Sequence, residues 1–193
     1  TNKLSMPFAR KVCYTFPETK EHIPSQKAVR TGIPIRESLF KGSPSKGREI
    51  CAFTGAKPVI MVIGGSQGSE KINGLIRVSL DELLERYDIC HICGKGNIKK
   101  DLLNKRGYKQ FEYVNEELPH LFAMADLVVS RAGATAIFEL LALKKPNLLI
   151  PLPRSASRGD QILNAASFEK QGYSMVLHEE NLDAKELIRA VNK

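Results

Sequence analysis

The stretch PVIMVIGGSQGSEKING, residues 58 to 74, decides the fold class of this chain. Its first half is a continuous apolar run that ends in two glycines, which is typical of a strand buried on both faces of a sheet. Apolar residues then recur at helical spacing from Ser69 to Tyr87. A glycine loop between such a strand and a helix can hold a phosphate, because the backbone approaches the ligand closely and the helix start presents free N–H groups.

The loop itself, Gly64 to Gly68, matches neither of two familiar nucleotide-binding patterns. Ser66 stands where a GxGxxG fingerprint has its second glycine, and no Lys-Ser/Thr pair follows as it does in a P-loop. Ser66 adds a hydroxyl donor that suits a phosphate. A tight turn without any ligand remains the alternative interpretation of this loop.

The segments after this loop alternate between strand and helix patterns. Strands are predicted at residues 88–93, 109–114, 126–130, 146–153 and 174–179, and helices at residues 97–106, 117–125, 134–143, 161–171 and 182–193. Short connections between alternating elements predict an α/β fold, a Rossmann-like parallel sheet with helices on both faces. In such a sheet the ligand lies beyond the carboxyl ends of the strands.

The first fifty residues have a different character. Residues 9–16 and 27–34 are predicted as two short strands. The stretch KGSPSKGRE, residues 41 to 49, is rich in Gly, Pro, Ser and charge, so we expect an exposed linker there. The predicted domain division is residues 1–35 and 36–193.

Composition narrows the class of protein. The 193 residues carry a formal net charge of +8, which favours anionic partners such as nucleotides, nucleic acid or an acidic membrane face, or else a solvated surface. No apolar run has the length of a membrane helix, and no signal-peptide pattern is present. The first residue is Thr1 rather than Met, which indicates a piece of a longer protein.

The four cysteines include a CxxC pair, Cys90 and Cys93. A structural zinc site usually needs a second close pair, and the sequence has none. The pair falls in a predicted strand, where side chains three apart point to opposite faces. We therefore interpret these residues as core thiols, with a redox or metal role as the alternative, and the cysteine usage fits a reducing cytoplasm.

Two further segments carry residues suited to a ligand. In Ser130-Arg131-Ala132-Gly133-Ala134-Thr135 a helix starts directly after a glycine, so its dipole and that of the earlier helix could converge on one diphosphate. Glu139 lies within two turns of this start, where a carboxylate can accept both hydroxyls of a ribose; a solvated glutamate is the alternative.

The third segment is GDQILNA, residues 159 to 165. Asp160 is predicted to cap its helix, and Gln161 could reach a ligand; a merely capped helix is the alternative. No DxD pair occurs, so a diphosphate would have to be held by backbone groups rather than through a metal. The four histidines show no partner spacing that indicates a catalytic triad.

These motifs in this order, GGSQG, SRAGATAIFE and PLP followed by DQILNA, resemble the glycosyltransferases of the peptidoglycan lipid-intermediate family, glycosyltransferase family 28. The segment GIPIR, Gly32 to Arg36, resembles that family's junction between domains. The resemblance implies a GT-B arrangement of two Rossmann-like domains facing a cleft. Residues 36–193 would be the C-terminal, donor-binding domain, shortened at its end, and residues 1–35 the tail of the N-terminal acceptor domain with the junction.

By resemblance, nine residues bind the donor and none is a metal ligand or a catalytic residue. The implied contacts are Gly65 and Ser66 at the diphosphate, Arg36 at the phosphates, Gly133 and Ala134 at the helix start, Val114 at the uracil through its backbone, Glu139 at the ribose, Gln161 at the sugar and Asn164 supporting the same edge.

The implied activity is transfer of GlcNAc from UDP-GlcNAc, without a cofactor and with inversion, to undecaprenyl-pyrophosphoryl-MurNAc-pentapeptide. The acceptor and its base would belong to the N-terminal domain, outside this chain, so the chain alone would bind donor without catalysis. The partners would be the lipid-linked acceptor and the anionic cytoplasmic face of the bacterial membrane, where the enzyme would be peripheral, and no nucleic acid is expected.

Two other functions stay open: a related UDP-sugar glycolipid transferase of the same fold, and a non-catalytic donor-binding subunit that acts with a partner chain. A nicotinamide dehydrogenase is disfavoured, because the third glycine and the acidic residue after the second strand do not fit.

Overall fold

The computed structural model describes residues 2–65 and 67–193, and divides into two compact units, Thr1–Ile35 and Arg36–Lys193. The first unit begins with a short helix, α1 (Asn2–Ser5), and contains two parallel strands, β1 (Val12–Tyr14) and β2 (Ala28–Arg30). Two 3-10 turns, Met6–Phe8 and Pro17–His22, precede and separate these strands. The two short strands predicted in this part of the chain are thus confirmed, with narrower bounds.

The second unit alternates strands and helices. Its elements are α2 (Pro44–Cys51), β3 (Val59–Ile63), α3 (Glu70–Val78), α4 (Leu80–Arg86), β4 (Asp88–Ile92), β5 (Tyr108–Phe111), α5 (Leu118–Met124), β6 (Leu127–Ser130), α6 (Ala134–Ala142), β7 (Asn147–Leu149), α7 (Asp160–Lys170), β8 (Met175–Val176) and α8 (Ala184–Val191). Three 3-10 turns, Glu37–Lys41, Lys100–Leu102 and Glu179–Asn181, complete the unit.

The six strands of this unit form one parallel sheet in the order β5-β4-β3-β6-β7-β8. The chain therefore leaves β3 towards one edge of the sheet and returns to the other side of β3 with β6. This point, where the strand order reverses, is where α/β sheets open a crevice for ligands. The predicted fold class, a Rossmann-like parallel sheet, is confirmed.

Helices cover both faces of the sheet. One buried cluster joins Ile60 and Val62 of β3 to apolar residues of α3, α4 and α8. Met61 of β3 and Cys90 of β4 point the other way, because side chains alternate along a strand, and both are also fully buried. This burial on both faces explains why the sequence of β3 is continuously apolar rather than alternating.

The predicted linker at residues 41–49 is wrong, because helix α2 occupies most of it. The Oγ of Ser43 accepts a hydrogen bond from the N–H of Lys46 at 3.4 Å and caps the helix, and Pro44 takes the first helical position. A Cβ at Gly47 would lie 2.3 Å from the carbonyl oxygen of His120, so this glycine permits close packing of α2 against α5. Gly, Pro and Ser here serve the start and packing of a helix.

Other predicted elements differ in extent. The single helix predicted from Ser69 to Tyr87 divides at Ser79, whose ψ of 0° ends α3 before α4 begins. The helix predicted at 97–106 is reduced to the 3-10 turn Lys100–Leu102. Strand β7 spans three residues, and β8, at one edge of the sheet, spans two.

The cysteine pair is buried, as predicted for core thiols, and both residues are unbonded free cysteines. A hydrogen bond with Cys51 and burial raise the pKa of the Cys90 thiol. Burial also raises the pKa of Cys93. Since the thiolate is the reactive form, these shifts oppose redox or metal chemistry at this pair. Across residues 2–65 and 67–193, no helix is both long enough and apolar enough to cross a membrane.

Candidate functional site

The carboxyl ends of the six strands are aligned. The register pairs Ile63 at the end of β3 with Ile92 of β4 on one side and Ser130 of β6 on the other. Ser130 pairs with Leu149, the last residue of β7. The loops that follow these strands therefore start from one row, and their polar and glycine residues gather at one edge of the sheet.

A cavity of about 730 Å³ lies at this edge, between the ends of β3 and β6. We call it the strand-end cavity. It is lined by Ile63, Gly64, Gly65, Gly68, Ser69, Glu70, Lys71, Ser130, Arg131, Gly133, Ala136, Leu152, Gln161 and Glu179. Its walls thus come from both glycine turns, the loop after β7, the start of α7 and the turn after β8.

The first glycine turn joins β3 to α3. Gly65 has a φ of 92°, a conformation that favours glycine. The Oγ of Ser69 accepts a hydrogen bond from the N–H of Ile72 at 3.3 Å, so Ser69 caps α3 and the helix start faces the cavity. Ser66, predicted as the hydroxyl donor of this turn, lies outside the described residues.

The second glycine turn joins β6 to α6. Gly133 lines the cavity and is the N-cap residue of α6, whose first residue is Ala134. The backbone of Gly133 has an ordinary φ of −66°, and a Cβ added there would meet nothing within 4 Å. Two helix N-termini, those of α3 and α6, therefore approach one cavity, where the positive ends of their dipoles favour an anion.

A second, smaller pocket of about 180 Å³ shares Gly65 and Ile63 with the strand-end cavity. We call it the side pocket, and its wall includes Arg36 and Val114, two of the predicted donor contacts. The Nη2 of Arg36 donates a hydrogen bond to the Oε1 of Glu139 at 3.0 Å. The Glu139 side chain is 10% exposed and that of Arg36 is 62% exposed, so the carboxylate is anchored in the protein and the guanidinium reaches it from the surface.

The third predicted segment, residues 159 to 165, takes part in the site in a way that the sequence did not fully predict. Gln161 lines the strand-end cavity, and its Oε1 accepts a hydrogen bond from the N–H of Leu152 at 3.2 Å. Asn164 donates from Nδ2 to the carbonyl oxygen of Ala132 at 3.0 Å, which supports the second glycine turn. The predicted cap by Asp160 is wrong: Gly159, with a φ of 84°, is the N-cap residue, and Asp160 is the first residue of α7.

One buried arginine in this site had no predicted role. Arg131 follows β6 directly and is 8% exposed. Its Nη2 donates to the Oγ of Ser69 at 2.6 Å, and its Nη1 donates to the carbonyl oxygen of Ile150 at 3.1 Å and to the carboxylate of Glu179. The sequence did offer one signal for this role, which is a cation directly after an apolar strand. Such a position is buried, and a buried charge needs hydrogen-bonding partners within the protein.

Behind the first glycine turn, a buried polar network links α3 to the sheet. The Nδ2 of Asn73 donates to the carbonyl oxygen of Cys93 at 2.9 Å, so its Oδ1 faces the Nε2 of His91, also at 2.9 Å. His91 Nε2 is therefore the donor, and its Nδ1, 2.8 Å from the Tyr108 hydroxyl, accepts. Burial, with the nearby charge of Arg77, lowers the pKa of His91 to about 3, so the imidazole is neutral at physiological pH.

Within the described residues, no group of three or more His, Cys, Asp or Glu side chains is placed to hold a metal ion. Four charged residues line the strand-end cavity, two cations, Lys71 and Arg131, and two carboxylates, Glu70 and Glu179, of which Arg131 and Glu179 form an ion pair. The arrangement suits an anion held by backbone N–H groups and helix ends.

Comparison with known proteins places residues 59–193 in the Glycosyltransferase family 28 C-terminal domain. The chain is 60% identical over 192 residues to the UDP-N-acetylglucosamine–N-acetylmuramyl-(pentapeptide) pyrophosphoryl-undecaprenol N-acetylglucosamine transferase of Geobacillus thermodenitrificans, covering 100% of this chain and 54% of that protein. It is 59% identical to the Clostridium tetani protein of the same name, covering 99% of this chain and 53% of that protein. The chain thus spans about half the length of the curated relatives it matches.

Solved structures agree on the fold. The crystal structure of Acinetobacter baumannii MurG superposes with a TM-score of 0.76 at 23% identity, covering 100% of this chain and 54% of that one. The kitacinnamycin glycosyltransferase superposes with a TM-score of 0.70 at 16% identity, covering 95% of this chain and 46% of that one. At these identities the likeness concerns the fold alone.

Proposed function

Because this chain belongs to glycosyltransferase family 28 through its C-terminal domain, we propose that residues 36–193 bind UDP-GlcNAc as the donor half of a peptidoglycan glycosyltransferase. The observation that carries the proposal is the approach of two helix starts, those of α3 and α6, to one cavity where the strand order of the sheet reverses. A nucleotide diphosphate matches this arrangement in charge and in place.

The diphosphate lies in the strand-end cavity in this proposal. Gly65 and Gly133 keep the backbone of both turns accessible, so that N–H groups reach phosphate oxygens. Ser66 is assigned to the same ligand by its place in the sequence GGSQG. These groups stabilise the negative charge that grows on UDP as it leaves, and oriented backbone donors do this without a metal ion.

The nucleoside lies in the side pocket. The backbone of Val114 pairs with the uracil, and the carboxylate of Glu139 accepts the ribose hydroxyls. Only Oε1 of Glu139 takes part in the hydrogen bond from Arg36, so Oε2 is assigned to the first ribose hydroxyl. Arg36 is largely exposed, and its side chain is long enough to turn from this carboxylate towards a phosphate. Its guanidinium suits the charge and the geometry of a phosphate.

The sugar lies towards Gln161, whose amide nitrogen remains available for a hydroxyl while its oxygen holds the Leu152 N–H. Asn164 keeps the second turn in place from behind. A hydroxyl of the acceptor sugar attacks the anomeric carbon from the side opposite UDP, so the new glycosidic bond forms as the bond to the diphosphate breaks, with inversion.

The acceptor in this proposal is undecaprenyl-pyrophosphoryl-MurNAc-pentapeptide, and the base for its hydroxyl lies outside these 193 residues. Residues 1–35 are assigned to the end of the acceptor domain. A net charge of +8 supports peripheral attachment to the anionic cytoplasmic face of the bacterial membrane.

Calorimetric titration of the chain with UDP-GlcNAc, UDP-glucose and NADH tests the donor assignment. We expect binding of the UDP compounds and none of NADH. The variant Glu139→Ala should weaken UDP-GlcNAc by about 1–3 kcal/mol, because the ribose hydroxyls lose a buried partner. The control Glu82→Ala removes an exposed helix carboxylate and should bind as the wild type does. Equal affinities of wild type and Glu139→Ala would contradict the ribose assignment.

A further inference from the structure

We propose that Arg131 is a positioning residue that fixes the diphosphate side and the sugar side of the strand-end cavity relative to each other. The inference rests on the proposed function for the identity of the ligand. Arg131 itself is engaged by protein groups on both of its terminal nitrogens, so its effect on a ligand passes through the residues that it holds.

The first arm of Arg131 reaches the diphosphate side. Its Nη2 donates to the Oγ of Ser69 at 2.6 Å, and the same oxygen accepts the N–H of Ile72. Ser69 is buried and caps α3, so the arginine holds the cap that sets where this helix begins. The direction of the N–H groups at the start of α3 therefore depends on Arg131.

The second arm reaches the sugar side. Its Nη1 donates to the carbonyl oxygens of Ile150 and Pro151, at 3.1 and 3.3 Å. The next residue, Leu152, donates its N–H to Gln161, the residue assigned to the sugar. Arg131 therefore holds the backbone from which the Gln161 side chain is oriented.

The charge of Arg131 is balanced within the protein by the carboxylate of Glu179, in the turn after β8. The two N–H bonds of Nη1 are shared among Ile150, Pro151 and Glu179, while Nη2 serves Ser69. The compact ammonium of lysine cannot span Ser69 and the two carbonyls at once. The shape of the arginine, beyond its charge, is what couples the two sides. Arg131→Lys separates these properties.

Titration of the full chain with UMP, UDP and UDP-GlcNAc tests the coupling. For Arg131→Lys we expect UMP affinity within about twofold of the wild type, UDP about tenfold weaker, and a UDP-GlcNAc to UDP affinity ratio that falls at least about threefold, because both sides are displaced. For Ser69→Ala we expect weaker UDP binding and a smaller fall in the ratio than Arg131→Lys shows, since one arm of the arginine is released and the other is only loosened. Wild-type affinities in Arg131→Lys, or an equal loss for UMP and UDP, would overturn the inference.

Lys145 provides a matched control. This partly buried cation donates hydrogen bonds to the carbonyl oxygens of Ala123 and Ala125, at 3.1 and 2.8 Å. It lies just before β7, at the amino ends of the strands and away from the strand-end cavity. Burial lowers its pKa, which marks a partly desolvated charge. Lys145→Met should lower the thermal midpoint while leaving all three affinities within about twofold. A changed ligand ratio in this variant would overturn a specific role for Arg131.

Hydrogen exchange gives a readout that needs no ligand and no arginine variant. Ser69→Ala should increase deuterium uptake at the Leu152 amide as well as in the first turn of α3, because Arg131 links the two segments. Uptake that increases only near residue 69 would overturn the inference. The two proposals can fail separately. If the wild-type chain binds none of the three nucleotides while Ser69→Ala increases deuterium uptake at both segments, the proposed function is refuted and the positioning role of Arg131 stands.

Discussion

The two glycine turns at the carboxyl edge of the sheet both join a strand to a helix and differ in what their glycines do. In the turn after β3, Gly68 has a φ of 78°, and an added Cβ would lie 1.9 Å from the carbonyl oxygen of Cys93. In the turn after β6, Gly133 has a backbone open to any residue and empty space where a Cβ would stand. The first glycine is required by the fold, whereas the second is not, and the space beside the second is the space that we assign to the diphosphate.

Replacing Gly68 should have the largest effect, on stability. Gly68→Ala places a methyl group against backbone in a conformation that L residues rarely adopt, so we expect a loss of about 4 kcal/mol or more in the free energy of unfolding. Urea denaturation measures this loss. Gly74→Ala in the interior of α3 is the control, because its Cβ meets nothing within 4 Å, and it should stabilise by about 0.5–1 kcal/mol. A Gly68→Ala protein as stable as the wild type would end the distinction between the turns.

Replacing Gly133 should affect binding and spare the fold. Gly133→Ala keeps a permitted backbone conformation, so the free energy of unfolding should stay within about 1 kcal/mol of the wild type. The added methyl group enters the space assigned to the diphosphate, so UDP-GlcNAc affinity should fall by about 2 kcal/mol. Calorimetry beside urea denaturation separates the two quantities. Unchanged affinity would mean that the space at Gly133 is not part of the donor site.

Acid should lower the free energy of unfolding by protonating the buried network of His91 behind the first glycine turn. His91 takes up a proton near pH 6.5 in the unfolded chain and near pH 3 in the folded one, where it is buried against Asn73 and Tyr108. The stability that neutral His91 contributes is therefore complete above pH 6.5 and is lost as the pH falls, by about 1.4 kcal/mol per pH unit.

Urea denaturation of the wild type and of His91→Gln between pH 4.5 and 7.5 measures this dependence, and His178→Gln, at an exposed histidine, is the control. His91→Gln should lose most of the dependence, whereas His178→Gln should keep it. Parallel curves for all three proteins would show that His91 is not the titrating group.

The sheet could be predicted from sequence because its signals are local. β3 is buried on both faces and therefore continuously apolar, and apolar residues recur with a helical period between the strands. Helix α2 was missed because Gly, Pro and Ser were interpreted as a linker. The Ser43-Pro44 pair was a helix-start signal, and the reason for Gly47 lies in its contact with α5, which sequence spacing does not reveal.

The site could be predicted less completely, because its contacts join distant parts of the chain. Gly65 and Gly133 could be predicted as candidates because they follow strands, and Gln161 because it lies in the first turn of a helix, and all three line one cavity. Arg131 was missed because its partners Ser69 and Glu179 lie 62 and 48 residues away in sequence. No pattern of residue types indicates that one arginine will meet both.

The central claim is that the carboxyl edge of this sheet, with both glycine turns, is a UDP-sugar site. The most direct test follows the backbone amide resonances of the chain by NMR while UDP-GlcNAc is added. We predict that the largest shifts fall on Gly65, Gly68, Val114, Gly133 and Ala134, while the amides of Ala123 and Lys145 at the opposite edge stay in place. Shifts centred away from the two turns, or none at saturating UDP-GlcNAc, would contradict the claim.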